Sequence, residues 1–180
     1  ENEEAKLYTE IIERNAGRIQ KLIGDLLDSS KPRQYNFSEY DINQILKEAL
    51  KECNDRILLK SIKLIDQLSS SKFLRQADSE ALKIAFLNLL INDIEAVKND
   101  TGILIVSSEV ENEAISISIK DNGPGMDSET LEHIFDPFFS RKKDGNGLGL
   151  TNVQNIINGH DGQIEVESLP GDGSTFWIQL

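Results

Sequence analysis

Basic residues are scarce in this chain. Lys and Arg number 19 against 31 Asp and Glu, a formal net charge of −12 over 180 residues. A nucleic-acid binder needs a basic face, so this balance argues against DNA or RNA as partners. Any anionic ligand must instead meet a local concentration of positive charge or a metal ion. Cysteine is nearly absent: Cys53 stands alone, which rules out an internal disulfide and fits a reducing compartment. No apolar run approaches the roughly 18–20 residues that span a bilayer, and no secretory signal is visible. The first residue is Glu1 rather than Met, so a piece of a longer protein is expected. There is no internal repeat and no low-complexity segment.

What remains is ordinary for a soluble globular protein, with 38% apolar and 28% charged residues. The length allows one α/β domain with a core and a helical appendage. Residues 3–29 are predicted to form a long helix, because Tyr8, Ile12, Asn15, Ile19, Leu22 and Leu26 recur at 4-3-4-3-4 spacing, widened by Ile11, Ile23 and Leu27. Such a stripe needs a partner helix. Pro32 ends it. Residues 31–40 read as a linker into an edge strand. Asp41 caps a helix through Ile42, Ile45, Leu46, Ala49 and Leu50, and Asp78 or Ser79 caps a strongly apolar one reaching about Val97. Strands are predicted at 61–68, 103–110, 114–119, 163–168 and 175–180, with a short helix within 127–147 and a longer one over 148–158. The order of elements predicts a two-layer α/β sandwich.

Chemistry concentrates toward the C-terminus. Asn88 and Asn92, at i and i+4, project from one face of the apolar helix. Two amides there need partners: either nearby backbone, which is the plainer account of the pair alone, or a hydrated Mg²⁺ on nucleotide phosphates. Asp121 ends a strand and opens Asp121-Asn122-Gly123-Pro124-Gly125. Its carboxylate can accept from an exocyclic amine such as that of adenine, and Gly123 and Gly125 allow backbone to approach a flat base. A tight turn explains the same residues. Gly145, Gly147 and Gly149 precede a helix that begins near Leu148 and Leu150, where free N–H groups suit a phosphate. Arg141-Lys142-Lys143 is the chain's one run of three basic residues and lies just before them. Phe135, Phe138 and Phe139 anchor a loop or fill the core. The hydroxyls of Ser174 and Thr175 reach a phosphate or cap a turn.

Taken in order, these segments resemble the ATP-binding domain of sensor histidine kinases, in the GHKL superfamily shared with DNA gyrase, a heat-shock chaperone and the mismatch-repair protein MutL. Asn88 to Asn92 resembles the family's N box, Asp121 to Gly125 its first glycine box, Phe135 to Phe139 its F box, Gly145 to Leu150 its second glycine box, and Gly171 to Thr175 its last glycine-rich turn. Residues 1–31 resemble part of the dimerisation and phosphotransfer hairpin, its second helix, and 32–180 the ATP-binding domain. The resemblance implies a mixed sheet under helices on one face. It implies ATP and Mg²⁺ as cofactors, with Asn92 as the metal ligand, Asn88 near the phosphates and Asp121 on the adenine amine. It implies an ATP lid over about 127–147, with Phe138 in the F box and Ser140, Arg141 and Lys142 facing the γ-phosphate. Gly145, Gly147, Leu148, Gly149 and Leu150 would wrap the phosphates. The implied partners are a response-regulator receiver domain and a second copy meeting the N-terminal helix, weakened here. No direct membrane contact is expected, and the location expected for this piece is cytoplasmic whether or not the parent protein is anchored.

Two departures stand out. The helix that carries the family's phosphate-accepting His is missing, and neither His133 nor His160 fits that role. Asp93 occupies a position where a small residue usually follows the N-box Asn. The implied activity is transfer of the γ-phosphoryl group of ATP to a His outside this chain, without self-labelling by this piece. An ATP hydrolase of the gyrase or MutL type is disfavoured, because Asn88 stands where those enzymes carry a Glu and an amide is no general base. A nucleotide sensor or docking module without activity is the alternative that Asp93 supports.

Overall fold

The computed structural model describes residues 5–10, 12–17, 34–111, 114–142 and 145–180. Residues 5–10 and 12–17 are helical, with Leu7, Tyr8 and Ile12 of the expected stripe exposed. Ile11, Ile19, Leu22, Ile23, Leu26, Leu27 and Pro32 lie outside the described residues. The domain runs β1 (Ser38–Asp41), α1 (Ile42–Leu59), β2 (Lys63–Leu68), β3 (Leu74–Ala77), α2 (Ser79–Ala96), β4 (Ile103–Glu111), β5 (Ala114–Asp121), α3 (Ser128–His133), α4 (Gly149–Asn158), β6 (Gln163–Leu169) and β7 (Gly173–Gln179). None of the described helices is long and apolar enough to cross a membrane.

The main sheet has the order β2-β4-β5-β7-β6. Its β2–β4 pair is parallel and the others are antiparallel, so the sheet is mixed. β1 and β3 form a separate antiparallel ladder, Ser38 opposite Ala77. The sequence alone does not reveal β3. It is four residues long, has Arg75 and Gln76 at its centre, and owes its extended form to β1, more than thirty residues away.

Both long helices start where an aspartate accepts a first-turn N–H: Asp41 from Asn43 and Asp78 from Ala81. α2 is apolar on nearly all sides, and Leu82, Phe86, Leu89 and Leu90 are fully buried. A helix of that composition belongs in the middle of a layer, and α2 packs between α1 and α4 and against β5. The far end of α2 is capped from outside: Lys60 Nζ donates to the carbonyls of Ile94 (2.7 Å) and Val97 (3.1 Å).

Strand alternation sets the site. Ile115, Ile117 and Ile119 of β5 point toward the helices and are 0% exposed. Two residues on, Asp121 falls on the same face and is 2% exposed. The isoleucine row that builds the core therefore aims the Asp121 carboxylate beneath α2 instead of into solvent.

His160 is structural. It is buried, donates from Nδ1 to the carbonyl of Ile156 (2.7 Å) and accepts at Nε2 from the N–H of Asp78 (3.0 Å). Those partners fix one tautomer. The rings of Tyr35 and Phe37 meet it edge-on at 5.1 and 5.2 Å. His133 is half-exposed and pairs with Asp136 at 2.7 Å.

Candidate nucleotide site

Asp121 is clamped by backbone. Its Oδ1 accepts from the N–H of Gly123, and its Oδ2 accepts from the N–H of Ser174 at 3.1 Å. Burial pushes its carboxyl above the usual range, while these two N–H groups hold it down. The clamp joins two of the glycine segments. The N–H of Gly171 donates to the carbonyl of Pro124 (2.7 Å), and the N–H of Met126 to Ser168 Oγ (2.8 Å). Gly125 has φ +66°, and a Cβ there would collide with the carbonyl oxygen of Leu169. Gly173 has φ +80°, and its Cβ would collide with the carbonyl of Asp121. Only residues without side chains let these turns close on each other. Ser174 serves this clamp, with its hydroxyl 3.0 Å from Ser168 Oγ; Thr175 pairs within the sheet beside Lys120.

The second cluster gathers around the N-terminus of α4. That helix has no side-chain cap, so its first-turn N–H groups are left to another acceptor. Leu148 is buried and Leu150 packs against the core, so both offer backbone instead of side chain. Asn88 Oδ1 lies 3.9 Å from where a Cβ on Gly149 would stand, so the N-box face of α2 looks onto the start of α4. The loop before α4 is folded on itself. The N–H of Phe138 donates to the carbonyl of Gly147 (3.0 Å), and the N–H of Gly145 to that of Lys142 (3.1 Å). Ser140 Oγ accepts from the N–H of Lys142 at 3.1 Å. Phe135 and Phe139 pack on the core while Phe138 is exposed, and Thr151 Oγ1 ties α4 to the carbonyl of Phe135 at 2.9 Å.

The basic residues take different places. Lys142 Nζ reaches across to α2 and sits 2.9 Å from Asn92 Oδ1 and 2.7 Å from a Glu95 carboxylate oxygen. Arg141 turns the other way, donating to Asp127 at 2.8 Å with Glu129 at 3.5 Å. Thr130 and Arg141 together hold the Asp127 carboxyl at about 2. Lys143 lies outside the described residues. Sequence reasoning did not find Glu95 or Asp127; each meets its basic partner only through the fold, across 47 and 14 positions.

Asp93, next to Asn92, is 2% exposed, and its Oδ2 has no hydrogen-bond partner. Burial drives its carboxyl well above the ordinary range, the Asp121 charge adds to this, and Lys142 opposes it. The N–H donors favour the anion at Asp121, and Asp93 Oδ2 has no such donor.

The fit of a Mg²⁺ ion can be judged from Asn92. An ammonium already stands on its amide oxygen, so that atom faces a place where a cation is stabilised. Oxygen donors suit Mg²⁺. Among the described residues no three carboxylate, imidazole or thiol side chains converge on a metal, so an ion held by Asn92 needs phosphate oxygens and water as further ligands.

The family profile described as "Histidine kinase-, DNA gyrase B-, and HSP90-like ATPase" matches residues 77–180, more than half the chain. The sensor histidine kinase ZraS of Klebsiella oxytoca is 33% identical over 98% of this chain and 38% of its own length. The signal transduction histidine-protein kinase AtoS of Escherichia coli strain K12 is 36% identical over 96% of this chain and 28% of its own. The chain thus spans well under half the length of these relatives. A catalytic domain of histidine kinase ThkA superposes with a TM-score of 0.73 at 29% identity, covering 81% of this chain and 97% of that one. ThkA in complex with response regulator protein TrrA gives 0.79 at 26% identity, over 96% of this chain and 50% of that one. The chain belongs to the histidine kinase-, DNA gyrase B- and HSP90-like ATPase family, as a histidine kinase ATP-binding domain of the two-component sensor type.

Proposed function

We propose that this domain binds Mg·ATP with the adenine amine on Asp121 and the phosphates between Asn92 and the N-terminus of α4. From there it transfers the γ-phosphoryl group to a His on a hairpin helix outside this chain. The observation that carries the proposal is the pairing of ends. A buried carboxylate held by two N–H groups lies at one side of α2, and an amide oxygen carrying a cation lies at the other, beside an uncapped helix start. Bound Mg²⁺ would neutralise phosphate charge. The chain's own residues orient and screen: Asp121 fixes the base, the α4 N–H groups take phosphate oxygens, and Lys142 offers a second positive charge. The acceptor imidazole attacks Pγ, the bond from Pγ to the β–γ bridging oxygen breaks, and ADP leaves. No nucleophile is required of this domain.

Asn88 speaks against hydrolysis, because nothing at its position can take a proton from water. The next recipient in this reading is an Asp on a response-regulator receiver domain, and the complex of ThkA with response regulator protein TrrA supports a response regulator as the partner. The solvent-facing Leu7, Tyr8 and Ile12 support self-association through the N-terminal helix. Calorimetric titration with Mg·ATP tests the central claim: saturable heat with micromolar-range affinity, lost in Asp121→Asn, is expected. A flat titration of the parent chain would leave only a docking module. Incubation with γ-labelled ATP should leave this chain unlabelled until the missing helix is supplied.

A further inference from the structure

We propose that Asp93 is a second base-reading residue, its carboxyl hydrogen-bonding the polar edge of a bound 6-aminopurine beside Asp121. This rests on the nucleotide reading above and adds a specificity determinant to it.

The starting observation is an exception. Among the described residues, buried polar side chains find partners: Asn43 with Ser71 and Ser108, Ser118 with Ser107, Thr130 with Asp127, Ser168 with Ser174, His160 with Ile156, Asp121 with Gly123 and Ser174. Asp93 Oδ2 is the buried side-chain atom without one. A fold that otherwise satisfies its polar interior leaves such an atom open for a reason, and a ligand is one that supplies the missing partner.

Geometry says which ligand. Asp93 and Ala96 lie at i and i+3, on one face of α2. Ala96 is what a Cβ on Gly123 would meet, at 3.2 Å, so that face lies against the Asp121–Gly123 turn. The charged groups facing Asp93 are Asp121 from β5 and Lys142 from the loop before α4. Asp93 therefore sits between the group that would grip the base and the residues that would hold the phosphates. A purine amine carries two N–H donors next to a ring nitrogen. One carboxylate leaves that edge half read, and a second carboxyl on the adjoining wall completes it. A 6-oxopurine places an acceptor there instead, with its donor on the adjoining ring nitrogen, so the same pair of carboxyl groups meets a reversed pattern.

The test measures binding of ATP, GTP and purine riboside triphosphate, which lacks the 6-amine, each with Mg²⁺. The proteins are the 180-residue chain, Asp93→Ala, Asp93→Asn and Asp121→Asn. The ratio of ATP to purine riboside triphosphate affinity should shrink about five- to tenfold in Asp93→Ala, the factor that one hydrogen bond carries. If the Ala variant does not fold, Asp93→Asn keeps the volume, and a loss of at least about twofold is expected of it. An unchanged ratio in the folded variants, or tighter ATP binding by Asp93→Ala, overturns the inference. In that case loss of binding in Asp121→Asn shows that the nucleotide reading still stands. Failure of the parent chain to bind any of the three nucleotides removes both.

Discussion

Replacing Asp93 by Ala should stabilise this domain while loosening its choice of base. The carboxyl is 2% exposed with Oδ2 unpartnered, so folding strips water from that oxygen without replacing its hydrogen bond. Its folded pKa lies well above the ordinary 3.8. For a carboxyl raised in this way, the folded state binds the proton more tightly than the unfolded one. The penalty is absent below about 4, grows as pH rises, and levels off once the raised value is passed. Each unit of separation is worth about 1.4 kcal/mol. Asp93→Ala should therefore gain stability, and gain more at pH 7.5 than at pH 5. For a chain of this size each kcal/mol gained is a melting-temperature rise of about 2–4 °C. Thermal or urea unfolding of the metal-free, nucleotide-free chain between pH 5 and 8 provides the assay. Ala is also the better helix former, a gain of up to about 0.7 kcal/mol that does not vary with pH. A gain that is flat across this range would therefore refute the argument, since propensity alone would explain it. A loss of stability at pH 7.5 would refute it outright.

Gly125→Ala combines left-handed backbone with collision against Leu169, and Gly171→Ala has positive φ but open space around it. Urea unfolding should show a loss above about 3 kcal/mol for the first and about 1–2 kcal/mol for the second. Lys60→Met leaves the last carbonyls of α2 without their donor, which should cost about 1–2 kcal/mol and speed amide exchange in the final turn of α2. Lys142→Ala breaks an exposed ion pair and should change stability by less than about 0.5 kcal/mol. It should nonetheless weaken Mg·ATP binding several-fold and flatten its salt dependence by calorimetry, and equal affinity at low and high salt for parent and variant would contradict the role given to it.

Features set by neighbours in sequence were legible. Asp41 and Asp78 announced the starts of α1 and α2, and the alternation of β5 announced the row that ends on Asp121. The glycine turns were visible as segments but not as a pair, because the contact between Gly173 and Asp121 spans fifty-two positions. β3 was invisible because its pairing, not its composition, makes it a strand. The burial of Asp93 escaped for a different reason. α2 is apolar on nearly every side, so its periodicity does not say which face looks inward, and only the packed neighbours decide. Arg141 and Lys142, adjacent in sequence, part company for the same kind of reason: each side chain goes to the acid that the fold brings nearest.

The interlocked turns also set a timetable. β7 occupies the slot between β5 and β6, and its Ser174 N–H is one of the two donors that hold Asp121. During synthesis, α1, α2 and the β4–β5 hairpin can gather first. The Asp121 clamp can form only after residues 173–179 have left the ribosome and paired with β5, bringing β6 with them as the new edge. A half-made chain thus lacks the second donor on Asp121, which arrives in one late step with the docking of β7.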